Sequence, residues 1–198
     1  MPYPSKDEFS ELLVSGDHAK IVEDLLIAGI PFAFRESPAD YDLLRTRLGN
    51  ALNLSANDMT VVGSGRIGFS LDPEKYGTPF LPESDLDVVV VSDELFDIAW
   101  LDLLRLGRKY FSLQQGVKSW IDTHKTNNIY FGFIIPDRLP GAVAISPAWF
   151  RIFKGLALNP SLAGRDVNGR LYRTWDHVHV HQLYSLRKIR QGLRTSRG

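Results

Sequence analysis

The chain predicts a mixed helical and stranded fold, α/β or α+β, built on a small mixed sheet with helices against it. Amphipathic helical segments alternate along the sequence with short apolar runs of strand character. One of those runs, "DLDVVVVS" from Asp85 to Ser92, is valine-rich without alternation, as in a strand buried on both faces. The size agrees: 198 residues, 44% hydrophobic and 23% charged, suit one domain with a sizeable core.

Residues 5–28 read as helical. "SKDEFSELL" opens with a serine and early acids, and "SGDHAKIVEDLLIAG" restarts at Ser15 or Asp17 and stops at Gly29. "IPFAF" reads as a short extended segment. "SPADYDLLRTRLGNALNL" is a helix with Ser37 as N-cap, Pro38 at its first position, and Tyr41, Leu44, Leu48 and Leu52 along one side. "DMTVVGSG" is a strand entering a turn. Residues 72–84 hold three prolines and a glycine and read as an irregular loop. After the valine strand, "DELFDIAWLDLLRLGRKY" is a helix, "NIYFGFIIPDRLPG" a strand ended by Pro136, and "SPAWFRIFKGLAL" a helix. "RLYRTWDHVHVHQLYSLRKIRQGL" reads as a final helix with a frayed basic tail. The single domain, 1–198, therefore divides into N-terminal helices (1–57), a core (58–137) and a C-terminal helical part (138–198).

Formal net charge is zero, which excludes a molecule that binds nucleic acid by bulk positive charge. There are no cysteines, so disulfides, thiolate metal sites and cysteine nucleophiles are excluded. The first residues are polar and acidic, and no apolar run approaches the roughly 20 residues that span a bilayer. These features lead to the expectation of a cytoplasmic protein with no membrane insertion.

Two short stretches carry chemistry. A strand that meets Gly63-Ser64 at once places backbone N–H groups at a turn, where they can cradle phosphates. Ser64 adds a hydroxyl and Arg66 a permanent charge, while glycine at 63 lets the backbone come close to a ligand. Asp85 and Asp87 stand two apart on a strand, so their side chains project from one face. Two carboxylates so close repel unless a cation lies between them. Magnesium, a hard cation held by carboxylates and substrate phosphates, answers that need.

Together, the strand, Gly63-Ser64-x-Arg66-x-Gly68, then Ser84-Asp85-Leu86-Asp87 and an apolar strand resemble the DNA polymerase β-type nucleotidyltransferase superfamily. The turn looks most like that of the oligoadenylate synthetase and bacterial antiphage branch. The resemblance covers residues 58–92 and extends loosely to about 137. It implies an α+β nucleotidyltransferase core that transfers a nucleotidyl group from a nucleoside or deoxynucleoside triphosphate to a hydroxyl and releases pyrophosphate. It implies Ser64 on the terminal phosphates, and Asp85 and Asp87 on Mg2+, with Mn2+ as an alternative. By the same analogy the product is an oligonucleotide or nucleotide signal for a partner effector protein.

The sequence departs from that pattern twice. The gap between Ser64 and Asp85 is long, and its extra "DPEKYGTPFLPE" reads as a loop over the site, with Lys75 and Tyr76 placed to touch nucleotide or simply solvated. The resemblance also implies a third carboxylate on the neighbouring strand, taken to be "NIYFGFIIPD". The matching position there is Phe133. Asp137, just past the strand, is the candidate to replace it, ahead of Asp122. A missing third carboxylate favours a second expectation, a nucleotide-binding sensor or regulatory subunit that has lost catalysis.

Other features have plainer readings. His177, His179 and His181 lack the acidic or cysteine companions of a zinc site, and only His177 and His181 share a helix face. His181 or Tyr184 can still face a bound nucleotide. Arg187, Lys188, Arg190, Arg194 and Arg197 either follow the phosphates of a primer or product or form a solvated helix end. The tryptophans at 100, 120, 149 and 175 read as packing residues.

Overall fold

The computed structural model describes residues 3–139, 141, 143–158, 162 and 164–195. Ser5 starts the first helix, α1 (Lys6–Ser15). Its hydroxyl accepts from the Glu8 N–H, and the Glu8 carboxylate accepts in turn from the Ser5 N–H. Asp17 caps α2 (His18–Ile21), which runs on in wider turns to Ile27. Where an extended segment was expected, Phe32–Phe34 form a tight helical turn behind Pro31, with Phe34 buried. The helix α3 (Pro38–Leu52) begins at its proline and ends at Asn53 in the left-handed conformation.

Four strands form one mixed sheet in the order β1-β2-β4-β3. β1 (Met59–Val62) runs antiparallel to β2 (Leu86–Val91), and β2 runs parallel to β4 (Val167–Tyr172). β3 (Phe133–Ile134) is antiparallel to β4 at the far edge. Between β1 and β2 lie the short helix α4 (Ser64–Ile67) and a folded loop pinned by the Phe69–Pro79 bridge.

The two sheet faces differ. Leu86, Val88 and Val90 join Val167, Leu171 and Ile134 in the main core, under α3, α5 (Asp93–Gly107) and α7 (Ile145–Leu156). Val62, Val89, Phe133 and Tyr172 form the other face, covered by Val178 of α8 (Trp175–Thr195). Farther along, Leu186 and Ile189 of α8 pack with Phe9, Leu13, Val22 and Leu26. The valine run of β2 is thus buried on both faces, as its composition implied. Gly169 lies on the main-core face of β4, where a Cβ would fall 2.4 Å from the ring of Phe153.

Two further expectations need correction. Residues 170–172 do not begin the last helix; they complete β4, and α8 starts at Trp175. Most of "NIYFGFII" is not strand: helical turns occupy 124–131, and only Phe133 and Ile134 pair with β4. The unassigned stretch before it contains α6 (Gln115–Thr123), which buries Ile121.

Candidate functional site

The β2–β4 face opposite the main core opens into a cleft of about 640 Å³, within the size range of small-ligand pockets. Gly63, Ser64, Asp85 and Asp87 line it, together with Lys75 from the loop, Arg170 from β4, and His181, Gln182 and Ser185 from α8. Alternation along β2 explains why Asp85 and Asp87 face this space while Leu86 and Val88 enter the core. The register explains the rest. Val62 pairs with Asp87, so the chain leaving β1 turns at Gly63 directly beside that carboxylate.

Gly63 has φ 66° and ψ −147°, a backbone state in which side-chain-bearing residues are strained. A Cβ at this position would also lie 3.1 Å from Asp87 Oδ2. Glycine therefore serves both the turn and the close approach to the aspartate. Ser64 and Gly65 follow as the first residues of α4, whose leading N–H groups have no partner within the helix.

The electrostatics centre on Asp87. Burial pushes its carboxyl pKa up; Arg170 opposes that shift and Asp85 adds to it. Arg170 Nη2 stands 3.9 Å from Asp87 Oδ1. The Asn168 amide donates to Asp85 Oδ2 at 3.4 Å. Behind them Tyr172 and His181 share a 2.5 Å hydrogen bond, and the His181 ring stacks on Phe131 and Phe133. Burial, then the charges of Arg170 and Lys188, lower the His181 pKa to about 4, so its ring is neutral at pH 7. Burial raises the Tyr172 pKa to about 12.

The structure brings together Gly63, Ser64, Lys75, Asp85 and Asp87. It does not bring Arg66 or Asp137 to the cleft. The Arg66 guanidinium is 2% exposed and points to the other side of α4, donating from Nε to the Leu25 carbonyl and from Nη1 to the Gly29 carbonyl, both at 3.0 Å. It ties α4 to the end of the second helix. Asp137 sits in the turn Pro136–Arg138 beyond β3, two strands away from β2, and does not line the cleft. The strand next to the aspartates is β4, and its residues on their face are Asn168 and Arg170. Tyr76 also turns away from the cleft: its hydroxyl bonds Ser10, and its ring packs on Phe69.

The three histidines separate. His177 bonds Thr174, His179 bonds Glu23 and the Trp175 carbonyl, and only His181 faces the cleft. Among the described residues no three His, Cys, Asp or Glu side chains gather as a metal-ligand group. Asp85 and Asp87 still offer two carboxylates on one face, and a cation there would complete its shell with phosphate and water. The donor set fits one magnesium ion. Of the basic tail, Lys188 lies over the Tyr184 ring and Arg190 reaches the Val14 carbonyl; Arg197 lies outside the described residues. Among the described residues no helix is long and apolar enough to cross a membrane.

Sequence reasoning missed Arg170, Gln182 and Ser185. A period-two signal for β4 was present, since Val167, Gly169 and Leu171 alternate with Asn168 and Arg170. Comparisons with family models, with curated proteins and with solved structures give no match.

Proposed function

We propose that this cleft binds a nucleoside triphosphate with a divalent cation and transfers the nucleotidyl group to a hydroxyl acceptor. The observation that carries the reading is the meeting of the Gly63–Ser64 turn with Asp85 and Asp87 in one cleft, from positions 20 residues or more apart in sequence. The turn supplies backbone amides and the Ser64 hydroxyl to phosphate oxygens. Lys75 adds positive charge from the loop. Asp85 and Asp87 would hold the cation, which when bound draws charge from the phosphates and orients the acceptor oxygen. In the transfer, the acceptor oxygen bonds to the α-phosphorus, the bond from that phosphorus to the bridging oxygen breaks, and pyrophosphate leaves with the electron pair. The acceptor's proton passes to a carboxylate of the pair. The likeness of the turn to the antiphage branch extends this reading to a nucleotide signal acting on a partner protein.

A second reading, nucleotide binding without transfer, has one observation in its favour: Asn168 and Arg170 stand beside the aspartates where a third carboxylate would serve catalysis. Pyrophosphate release decides between them. The protein is incubated with each NTP and dNTP, with Mg2+ and then Mn2+, beside the Asp85→Ala/Asp87→Ala variant, and products are resolved by mass spectrometry. Pyrophosphate and a new product, both absent from the variant, support transfer. Nucleotide binding without pyrophosphate release supports the second reading. No binding to any nucleotide refutes both.

A further inference from the structure

We propose that Arg170 takes the place of a second divalent cation: the cleft binds a triphosphate with one divalent ion, and Arg170 shifts from Asp87 to the phosphates. The inference rests on the nucleotide-binding reading above and specifies how that site is charged. Its starting point is the register of β4. Asn168 is the cross-strand partner of Asp87, and Arg170, two residues on, projects from the same face. Its guanidinium lines the cleft and lies 3.9 Å from Asp87 Oδ1.

A guanidinium remains charged at any working pH, so its positive charge at this point is permanent. A dication placed on the Arg170 side of Asp87 would face that charge at close range. A dication on the Asp85 side would not, and there the neighbouring Asn168 side chain is neutral. The pair of aspartates is therefore asymmetric toward metals: one side is open and the other is already occupied by a protein cation. The loose 3.9 Å pairing leaves room for exchange, and the planar fork of arginine suits two oxygens of one phosphate. Tyr172 follows two residues on along β4, on the same face as Arg170. It is fully buried and tied to His181.

The test uses inorganic tripolyphosphate, which needs no knowledge of the base, and Mn2+. Wild type, Arg170→Gln and Arg170→Asp are brought to equilibrium by dialysis, and the excess manganese and phosphorus on the protein side are measured. Wild type takes up one Mn2+ per triphosphate. Arg170→Gln keeps that ratio but weakens triphosphate binding about tenfold to hundredfold, the loss expected for a charged hydrogen bond. Arg170→Asp, which presents a third carboxylate, raises the ratio to two. Thermal melts check that each variant is folded, and if Arg170→Asp is not, the affinity change in Arg170→Gln decides. Two Mn2+ in wild type, or unchanged triphosphate affinity in Arg170→Gln, overturns the role of Arg170 and leaves nucleotide binding standing. No triphosphate uptake by wild type overturns both.

Discussion

Arg66 gives the sharpest test of how this site is built. It follows the Gly63-Ser64 turn, where the sequence suggests a phosphate ligand, yet its guanidinium is buried against the Leu25 and Gly29 carbonyls. Arg66→Met keeps most of the aliphatic stem and removes both hydrogen bonds. A hydrogen bond from a charged donor contributes about 1.5–3 kcal/mol, so the two together are worth about 3–6 kcal/mol. Part of that loss is recovered because the variant no longer buries a charge, a cost visible in the downward shift of the Arg66 pKa by burial. A net destabilisation of about 3 kcal/mol is expected, which in a domain of this size lowers Tm by about 6–12 °C. Calorimetry or a urea titration measures it. At temperatures where the variant is folded, its triphosphate affinity should match wild type. A variant that melts within 2 °C or so of wild type, or that loses triphosphate binding while keeping its stability, would refute the assignment of Arg66 as an internal brace.

Four further outcomes are expected. Gly63→Ala forces a strained backbone and presses a methyl toward Asp87, at a cost of about 1–3 kcal/mol in urea stability and a larger loss in nucleotide binding. Gly169→Ala drives a methyl into the Phe153 and Trp149 rings and should cost about 1–3 kcal/mol, with no change in metal affinity once folded. His181 contributes a pH dependence whose sign is fixed by its lowered pKa: the stabilisation is complete above pH 6.5 and is lost as pH falls toward about 4. The gap amounts to roughly 3 kcal/mol. His124, also lowered by burial, adds to this acid loss, and Asp87, raised by burial, opposes it. His181→Gln should flatten the urea midpoint between pH 6.5 and 4, and an unchanged slope would assign the acid loss elsewhere. Finally, Tyr76→Phe removes the hydroxyl bond to Ser10 but keeps the packing on Phe69, so stability should fall by about 1 kcal/mol with the cleft intact.

Where local chemistry decides the structure, the sequence could be read. Ser5 and Asp17 cap helices, Pro38 starts one, and the valine run of β2 is buried on both faces because nothing polar interrupts it. Period two alone places Asp85 and Asp87 together. Partnership between distant segments could not be read in the same way. β4 contains a glycine and is followed within three residues by a long helix, so the helical pattern of "DHVHVHQLYSL" extends backward over Arg170–Tyr172. With β4 unseen, the strand beside the aspartates is misassigned, and with it the third ligand position. Arg66 is a different failure. A charged residue in a phosphate-like motif suggests outward use, and only the path of the second helix shows two carbonyls waiting behind it.

The Val62–Asp87 and Asp87–Asn168 pairings have a consequence for how this protein tolerates length changes. Alternation gives the middle strand a parity. Losing one residue between Asp87 and Val91 would either carry Asp85 and Asp87 into the oily side of the sheet or turn the valines beyond the gap out toward water. Losing two would keep the faces but move the carboxylates about 7 Å along the strand, away from Gly63. The loop at 69–84 has no such parity, because it returns to the sheet through turns rather than through a ladder. A deletion scan across residues 69–91 should therefore show a boundary, not a gradient. Before Asp85, length is negotiable wherever the Phe69–Pro79 clasp survives; after it, a lost residue is felt twice, once in the core and once in the cleft.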